Sequence, residues 1–171
     1  SVRARSLIGI AALSALVLTG CGAAGGSTSG GGSSDGVDSD LASFLTEAAK
    51  PYEGTTLNVL TFPGPQADSI AQMTPEFTDL TGITVKYTTV AENDAITKTQ
   101  VTLNSKSSGF DVIMYHNTFA KGYYQGNGFV AVNDLAANKD ITYDGFSLDN
   151  YIPGAVEGFT FNGDTYAVPM F

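Results

Sequence analysis

Residues 56 to 115 read TLNVLTFPGPQADSIAQMTPEFTDLTGITVKYTTVAENDAITKTQVTLNSKSSGFDVIMY, and the fold is decided in this stretch. Leu57-Asn58-Val59-Leu60-Thr61-Phe62 is a short apolar run broken by Pro63-Gly64-Pro65, the mark of a buried strand that ends in a turn. Ile70, Met73, Phe77 and Leu80 then recur at helical spacing with Gly82 as the stop, and Pro75 is predicted to kink or divide that helix. Ile83, Val85, Tyr87 and Thr89 alternate with Thr84, Lys86 and Thr88, which predicts a second strand. Asn93 or Asp94 is suited to cap a helix running to about Ser107, with Ile96 and Leu103 on one face. Phe110-Asp111-Val112-Ile113-Met114-Tyr115 supplies a third strand. Two helical crossovers between three strands predict an α/β fold with a parallel sheet, right-handed connections and helices on its faces.

That topology directs attention to particular loops, because open α/β sheets bind ligands beyond the carboxyl ends of their strands. The loops are Pro63 to Gln66, Ala91 to Asp94 and His116 to Thr118. Pro65, Gln66, Glu92, Asn93, His116, Asn117 and Thr118 are the candidate ligand-binding residues there, and Phe171 completes the set. Their carboxylate, carboxamide, imidazole and hydroxyl groups, with no Lys or Arg among them, suit a neutral many-hydroxyl ligand better than a phosphate. The chain has no Trp, which leaves Tyr and Phe to stack on apolar sugar faces.

Outward toward the N-terminus the sequence changes character. Arg3 and Arg5 precede an uncharged run from Leu7 to Leu18, too short for a membrane span, and Leu18-Thr19-Gly20-Cys21 resembles the bacterial lipobox. Residues 1–20 are therefore expected to be a lipoprotein signal peptide and Cys21 the point of lipid attachment. Residues 22 to 40, GAAGGSTSGGGSSDGVDSD, have almost nothing to bury, so 21–40 is expected to be a flexible Gly/Ser-rich tether with ends on the order of 25 Å apart. Leu41 to Ala49 is suited to a short helix stopped by the turn at Pro51 to Gly54, and 41–171 is expected to be the folded part.

The composition excludes several classes. The chain has 171 residues, 8 basic against 17 acidic side chains and a net charge of −9, so it lacks the basic footprint that nucleic acid demands. A single Cys and a single His rule out a disulfide framework, a Cys/His zinc site and a CxxC redox pair. No metal and no cofactor are expected.

The lipobox, the tether and the first strand are followed by Phe77-Thr78-Asp79-Leu80-Thr81-Gly82-Ile83-Thr84-Val85, Ser108-Gly109-Phe110-Asp111-Val112-Ile113 and Gly126-Asn127-Gly128-Phe129-Val130-Ala131-Val132-Asn133-Asp134-Leu135. In this order they resemble the extracellular solute-binding proteins of sugar-type ABC importers, over about Thr56 to Phe171. Phe161-Asn162-Gly163-Asp164-Thr165-Tyr166-Ala167-Val168-Pro169 also looks like that family's hairpin ahead of the interlobe crossing, with Asn162-Gly163 as a type I′ turn. The resemblance implies the N-terminal lobe of a two-lobed periplasmic-binding-protein-like fold, incomplete because the chain stops at Phe171. It further implies a non-catalytic, lipid-anchored receptor that captures a sugar or sugar alcohol outside the cytoplasm, hands it to ABC permease subunits and is monomeric at full length. The alternatives are a lipid-anchored glycoside hydrolase using two of Glu92, Asp94, Asp111 and Glu157, or a self-contained small lipoprotein.

Other constellations read more plainly. Gly126 to Ala131 has no strand before it, which argues for a turn rather than a dinucleotide fingerprint. Tyr123-Tyr124 is expected to pack on a short helix, and Asp140 with Asp144-Gly145 to form a solvated turn rather than a calcium loop. His116 has no Ser or Cys placed to complete a triad, which leaves it a ligand-facing hydrogen-bonder or a packing residue.

Overall fold

The computed structural model describes residues 37–105, 109–125 and 128–170. The expected signal peptide, Cys21, most of the tether, Gly126-Asn127 and Phe171 lie outside them. Helix α1 (Ser39–Ala49) leads through a 3₁₀ turn (Lys50–Tyr52) into β1 (Thr56–Thr61), α2 (Pro65–Thr81), β2 (Thr84–Thr89), α3 (Glu92–Ser105) and β3 (Val112–Ile113). Helices α4 (Asn117–Gln125) and α5 (Val132–Ala137), a 3₁₀ turn (Leu148–Asn150), α6 (Pro153–Glu157) and the strands β4 (Thr160–Phe161) and β5 (Asp164–Thr165) complete the described chain.

Strands β2, β1 and β3 form one sheet in that order, and both pairings are parallel, with Thr56 opposite Thr84 and Val59 opposite Val112. The central strand buries Leu57, Val59, Leu60 and Thr61, as a strand covered on both faces must. Alternation divides its side chains between two layers. Leu57 joins Leu41, Leu45, Ala49, Phe77 and Ile83 under α1 and α2, whereas Leu60 and Phe62 meet Ala95 of α3 on the other face.

Helix α1 belongs to this core. The Asp38 carboxylate accepts from the amides of Asp40 (2.9 Å) and Leu41 (3.3 Å), and Leu41, Leu45 and Ala49 form a buried stripe at i, i+4, i+8. The folded body thus includes Val37 and Asp38, inside the segment expected to be tether: Val37 packs against this cluster and its N–H donates to Glu76 Oε1 at 2.9 Å.

Three local expectations are corrected. Pro75 does not divide α2, which is one helix from Pro65 to Thr81. The proline and Ala71, whose carbonyl loses its intrahelical donor, are both exposed, so that carbonyl is open to solvent and the lost bond costs little. Helix α3 begins at Glu92, which places Asn93 and Asp94 inside its first turn rather than at the cap; Glu92 and Asp94 there face the positive end of the helix dipole. Strand β3 is two residues long rather than six, although backbone bonds from Asp111 N to Asn58 O and Met114 N to Leu60 O continue the ladder at either end.

Two further contacts set the frame. Gly82 closes α2 with φ +66, its N–H bonded to the Thr78 carbonyl, and a Cβ there would stand 2.7 Å from Glu53 Cγ. The Asp111 carboxylate accepts from both the backbone N–H (2.8 Å) and the side-chain amide (3.3 Å) of Asn58, tying β3 to the centre of the sheet. Replacing Asp111 by Ala removes the one oxygen, Oδ2, that accepts both bonds and should lower stability by about 1 to 3 kcal/mol, read from the urea midpoint. An unchanged midpoint would show that water takes over both donors.

Candidate functional site

The chain passes from β1 to β2 on one side and then returns to place β3 on the other side of β1. The switch point therefore lies between the carboxyl ends of β1 and β3, where a crevice is unavoidable. Phe62 leaves β1 on one side of it and Met114, Tyr115 and His116 leave β3 on the other.

The His116 ring stacks on Phe62 with centroids 5.0 Å apart and planes at 22°. Its Nε2 stands 3.4 Å from Glu92 Oε1, and both side chains are about half exposed, 51% and 52%. Phe62, Glu92, Ala95, Ile96, Thr99, Met114, Tyr115, His116, Phe119 and Tyr123 surround a cavity of about 10 Å³, room for at most one water. This is a wall with a dimple; small-molecule pockets are about 300 Å³ or more.

Behind the wall lies an aromatic layer. The Tyr115 ring stacks on Phe129 (5.2 Å) and meets Tyr123 (5.4 Å) and Phe159 (5.5 Å) edge-on, while its hydroxyl donates to the Tyr166 carbonyl at 3.2 Å. Burial, with a smaller push from Tyr123, raises the Tyr115 hydroxyl far above the ordinary phenol range, so it stays protonated. The Tyr123 hydroxyl is buried without a hydrogen-bond partner among the described residues. Thr99 lines the same cavity but gives its proton to the Ala95 carbonyl (2.8 Å). Burial also raises Tyr123, with Thr99 a weaker opposing influence.

Of the sequence-predicted residues, the structure brings Glu92 and His116 together in the cavity lining. Pro65 and Gln66 are exposed in the first turn of α2, and Asn93 is exposed in the first turn of α3; none of the three lines the cavity. Asn117 opens α4 and approaches Gly158, where a Cβ would stand 3.2 Å from its Nδ2. Thr118 lines a separate groove of about 320 Å³ with Gln100, Leu103, Asn104, Phe119, Gly122 and Tyr123. Sequence reasoning missed Phe62 as the platform under His116. Its place at the very end of an apolar run, just before the Pro63-Gly64-Pro65 turn, was the available signal.

Of the other carboxylates of the enzymatic alternative, Asp94 shares the first turn of α3 with Glu92 and two lie elsewhere. Asp111 is engaged with Asn58, and Glu157 lies on α6. Asp144, expected in a solvated turn rather than in that set, pairs with Lys139 at 2.9 Å. No group of three or more potential metal ligands occurs among the described residues, and none of their helices is long and apolar enough to cross a membrane.

The hairpin follows its expected form. Phe161 pairs with Asp164, and both turn residues have positive φ, +54 at Asn162 and +94 at Gly163, as a type I′ turn requires. Tyr123 and Tyr124 do pack from a short helix: Tyr123 is 3% exposed, and Tyr124 stacks on Phe161.

Comparison with known proteins supplies the family. Residues 72–170 match the model of the bacterial extracellular solute-binding proteins. The chain is 30% identical over 154 residues to the erythritol/L-threitol-binding protein of Mycolicibacterium smegmatis, a match spanning 88% of this chain and 30% of that relative. An ABC-transporter solute-binding protein of Agrobacterium radiobacter K84, solved in complex with ribitol, superposes with TM-score 0.61 at 23% identity, over 70% of this chain and 30% of that one. A second, from Agrobacterium vitis S4 with bound D-mannitol, gives TM-score 0.55 at 25% identity, over 65% and 26%. The chain thus spans about 30% of the length of these proteins, and its α/β unit has the architecture of part of one lobe. With the parallel sheet, its switch-point crevice and the match over residues 72–170 in agreement, the chain belongs to the bacterial extracellular solute-binding proteins.

Proposed function

We propose that this chain supplies one wall of an extracytoplasmic receptor for a neutral sugar alcohol or sugar, which delivers its ligand to an ABC permease and is held at the membrane through lipidated Cys21. The observation that carries the reading is the His116–Glu92 pair on the Phe62 platform at the switch point. An exposed carboxylate accepts hydroxyl protons, imidazole donates or accepts, and a flat aromatic surface covers C–H faces. A carboxylate beside the only histidine disfavours an anionic ligand. The protein is a receptor rather than an enzyme: Asp111 of the enzymatic alternative is engaged with Asn58, and the chain's relatives carry the names of binding proteins.

The small cavity implies weak binding by this wall alone, since affinity in a two-walled cleft comes from enclosing the ligand and excluding water. The single histidine provides a clean probe. Titrating erythritol, ribitol or mannitol to tens of millimolar should move the His116 ring proton resonances, and gluconate should leave them in place. Glu92→Ala should weaken the polyol response by about 1 to 3 kcal/mol, the cost of one unpaired hydroxyl. Ring resonances that ignore every polyol would place the ligand elsewhere.

A further inference from the structure

The β4–β5 turn carries a chemical liability and a device that restrains it. Asn162 is exposed and is followed by Gly163, whose missing side chain leaves its backbone nitrogen unshielded; a Cβ there would meet nothing within 4 Å. The Asn162 carboxamide is not free, however. Its Nδ2 donates to the Tyr124 hydroxyl at 2.7 Å, and the Tyr124 ring is fixed by stacking on Phe161 (5.3 Å, 12°) and by contact with Tyr166 (5.0 Å, 46°).

We propose that Asn162 is a spontaneous deamidation site whose rate is held down by its hydrogen bond to Tyr124. Gly163 N attacks Asn162 Cγ, the N–Cγ bond forms, the Cγ–Nδ2 bond breaks, and the amide nitrogen leaves as ammonia with the proton that Gly163 gives up. Water then opens the cyclic imide. Attack at Cγ gives aspartate, and attack at the main-chain carbonyl gives isoaspartate. For the first step the carboxamide must turn toward Gly163 and leave Tyr124.

The consequence reaches the ligand wall. Either product replaces the amide donor with a carboxylate beside Asp164, and isoaspartate inserts a methylene into a turn with only two residues between paired strands. The residue after β5 is Tyr166, whose carbonyl accepts the Tyr115 hydroxyl, and Tyr115 adjoins His116. Damage at the turn therefore loosens the layer behind the wall.

Incubation of the full chain in warm, mildly alkaline buffer, followed by peptide mapping with mass spectrometry, tests this. The peptide holding Asn162 should acquire the mass of the amide-to-acid change, in aspartate and isoaspartate forms. Tyr124→Phe keeps the ring stack and removes the hydroxyl, so deamidation should rise about fivefold, the factor one neutral hydrogen bond carries. A synthetic peptide of residues 157–168, which lacks Tyr124, should react faster than the folded chain and serves if the variant fails to fold. The second Asn-Gly pair, Asn127-Gly128, acts as an internal clock. Reaction at the clock with none at Asn162 in both wild type and Tyr124→Phe overturns the site. Equal rates in wild type, variant and peptide overturn the restraint.

Discussion

Replacing Phe77 by alanine should cost about 3 to 5 kcal/mol and lower the urea midpoint by about 2 M. Phe77 is 0% exposed and stands at the centre of the cluster formed by Leu41, Leu45, Ala49, Leu57 and Ile83, where α1, α2 and the sheet meet. The substitution removes an aromatic ring from a site walled by three separate elements, so the cavity left behind cannot collapse without moving a helix. Domains of this size hold a total stability of about 5 to 15 kcal/mol, so the loss is a large share of the whole. Phe77→Leu, which fills most of the volume, should recover a good part of it. A midpoint shift under about 0.5 M for the alanine variant would mean that the α1–α2 layer contributes little to the cooperative unit.

The second large effect concerns location. With residues 1–20 in place, changing Cys21 to Ser should move the protein from the membrane fraction to the medium, because the serine hydroxyl cannot form the thioether to diacylglycerol. Electrostatics offers no substitute, since a chain of net charge −9 is not drawn to an anionic bilayer. Each buried methylene adds about 0.8 kcal/mol, so two or three acyl chains anchor what a single chain holds only marginally. Fractionation with detection of the protein decides it, and a Cys21→Ser protein that remains with the membranes would end the lipoprotein reading.

The strands and helices from Thr56 to Ile113 were legible because their signals are local. Alternation at Ile83 to Thr89, the Pro63-Gly64-Pro65 break and the Gly82 stop each act on a few neighbouring residues. The type I′ turn at Asn162-Gly163 was legible for the same reason, since left-handed conformation at two successive positions selects those residue types. Element boundaries were less so. Whether Glu92 or Asp94 opens α3, or how far β3 pairs, depends on which neighbour meets each backbone group, and a strand with one partner ends where that partner's hydrogen bonds end.

The site divides in the same way. The loops of the candidate site were proposed from the succession of βαβ units, because open parallel sheets place ligand crevices beyond the carboxyl ends of their strands. The membership of the site was not legible in that succession. His116, Glu92 and Phe62 come from three different segments, and their meeting depends on β1 lying between β2 and β3.

By itself the sequence determined the α/β class, the polar chemistry of the strand-end loops and the expectation of a lipid-attached N-terminus. Hydrophobic period, turn chemistry and composition are properties of the chain alone. Only the tertiary structure decided that Asp38 to Ala49 packs into the core, that Pro75 is tolerated, and that His116 rests on Phe62 facing Glu92 while Asn93, Pro65 and Gln66 stand aside. Each of those outcomes turns on burial and contact between residues distant in sequence, where the free energy belongs to the pair and neither partner's local pattern contains it.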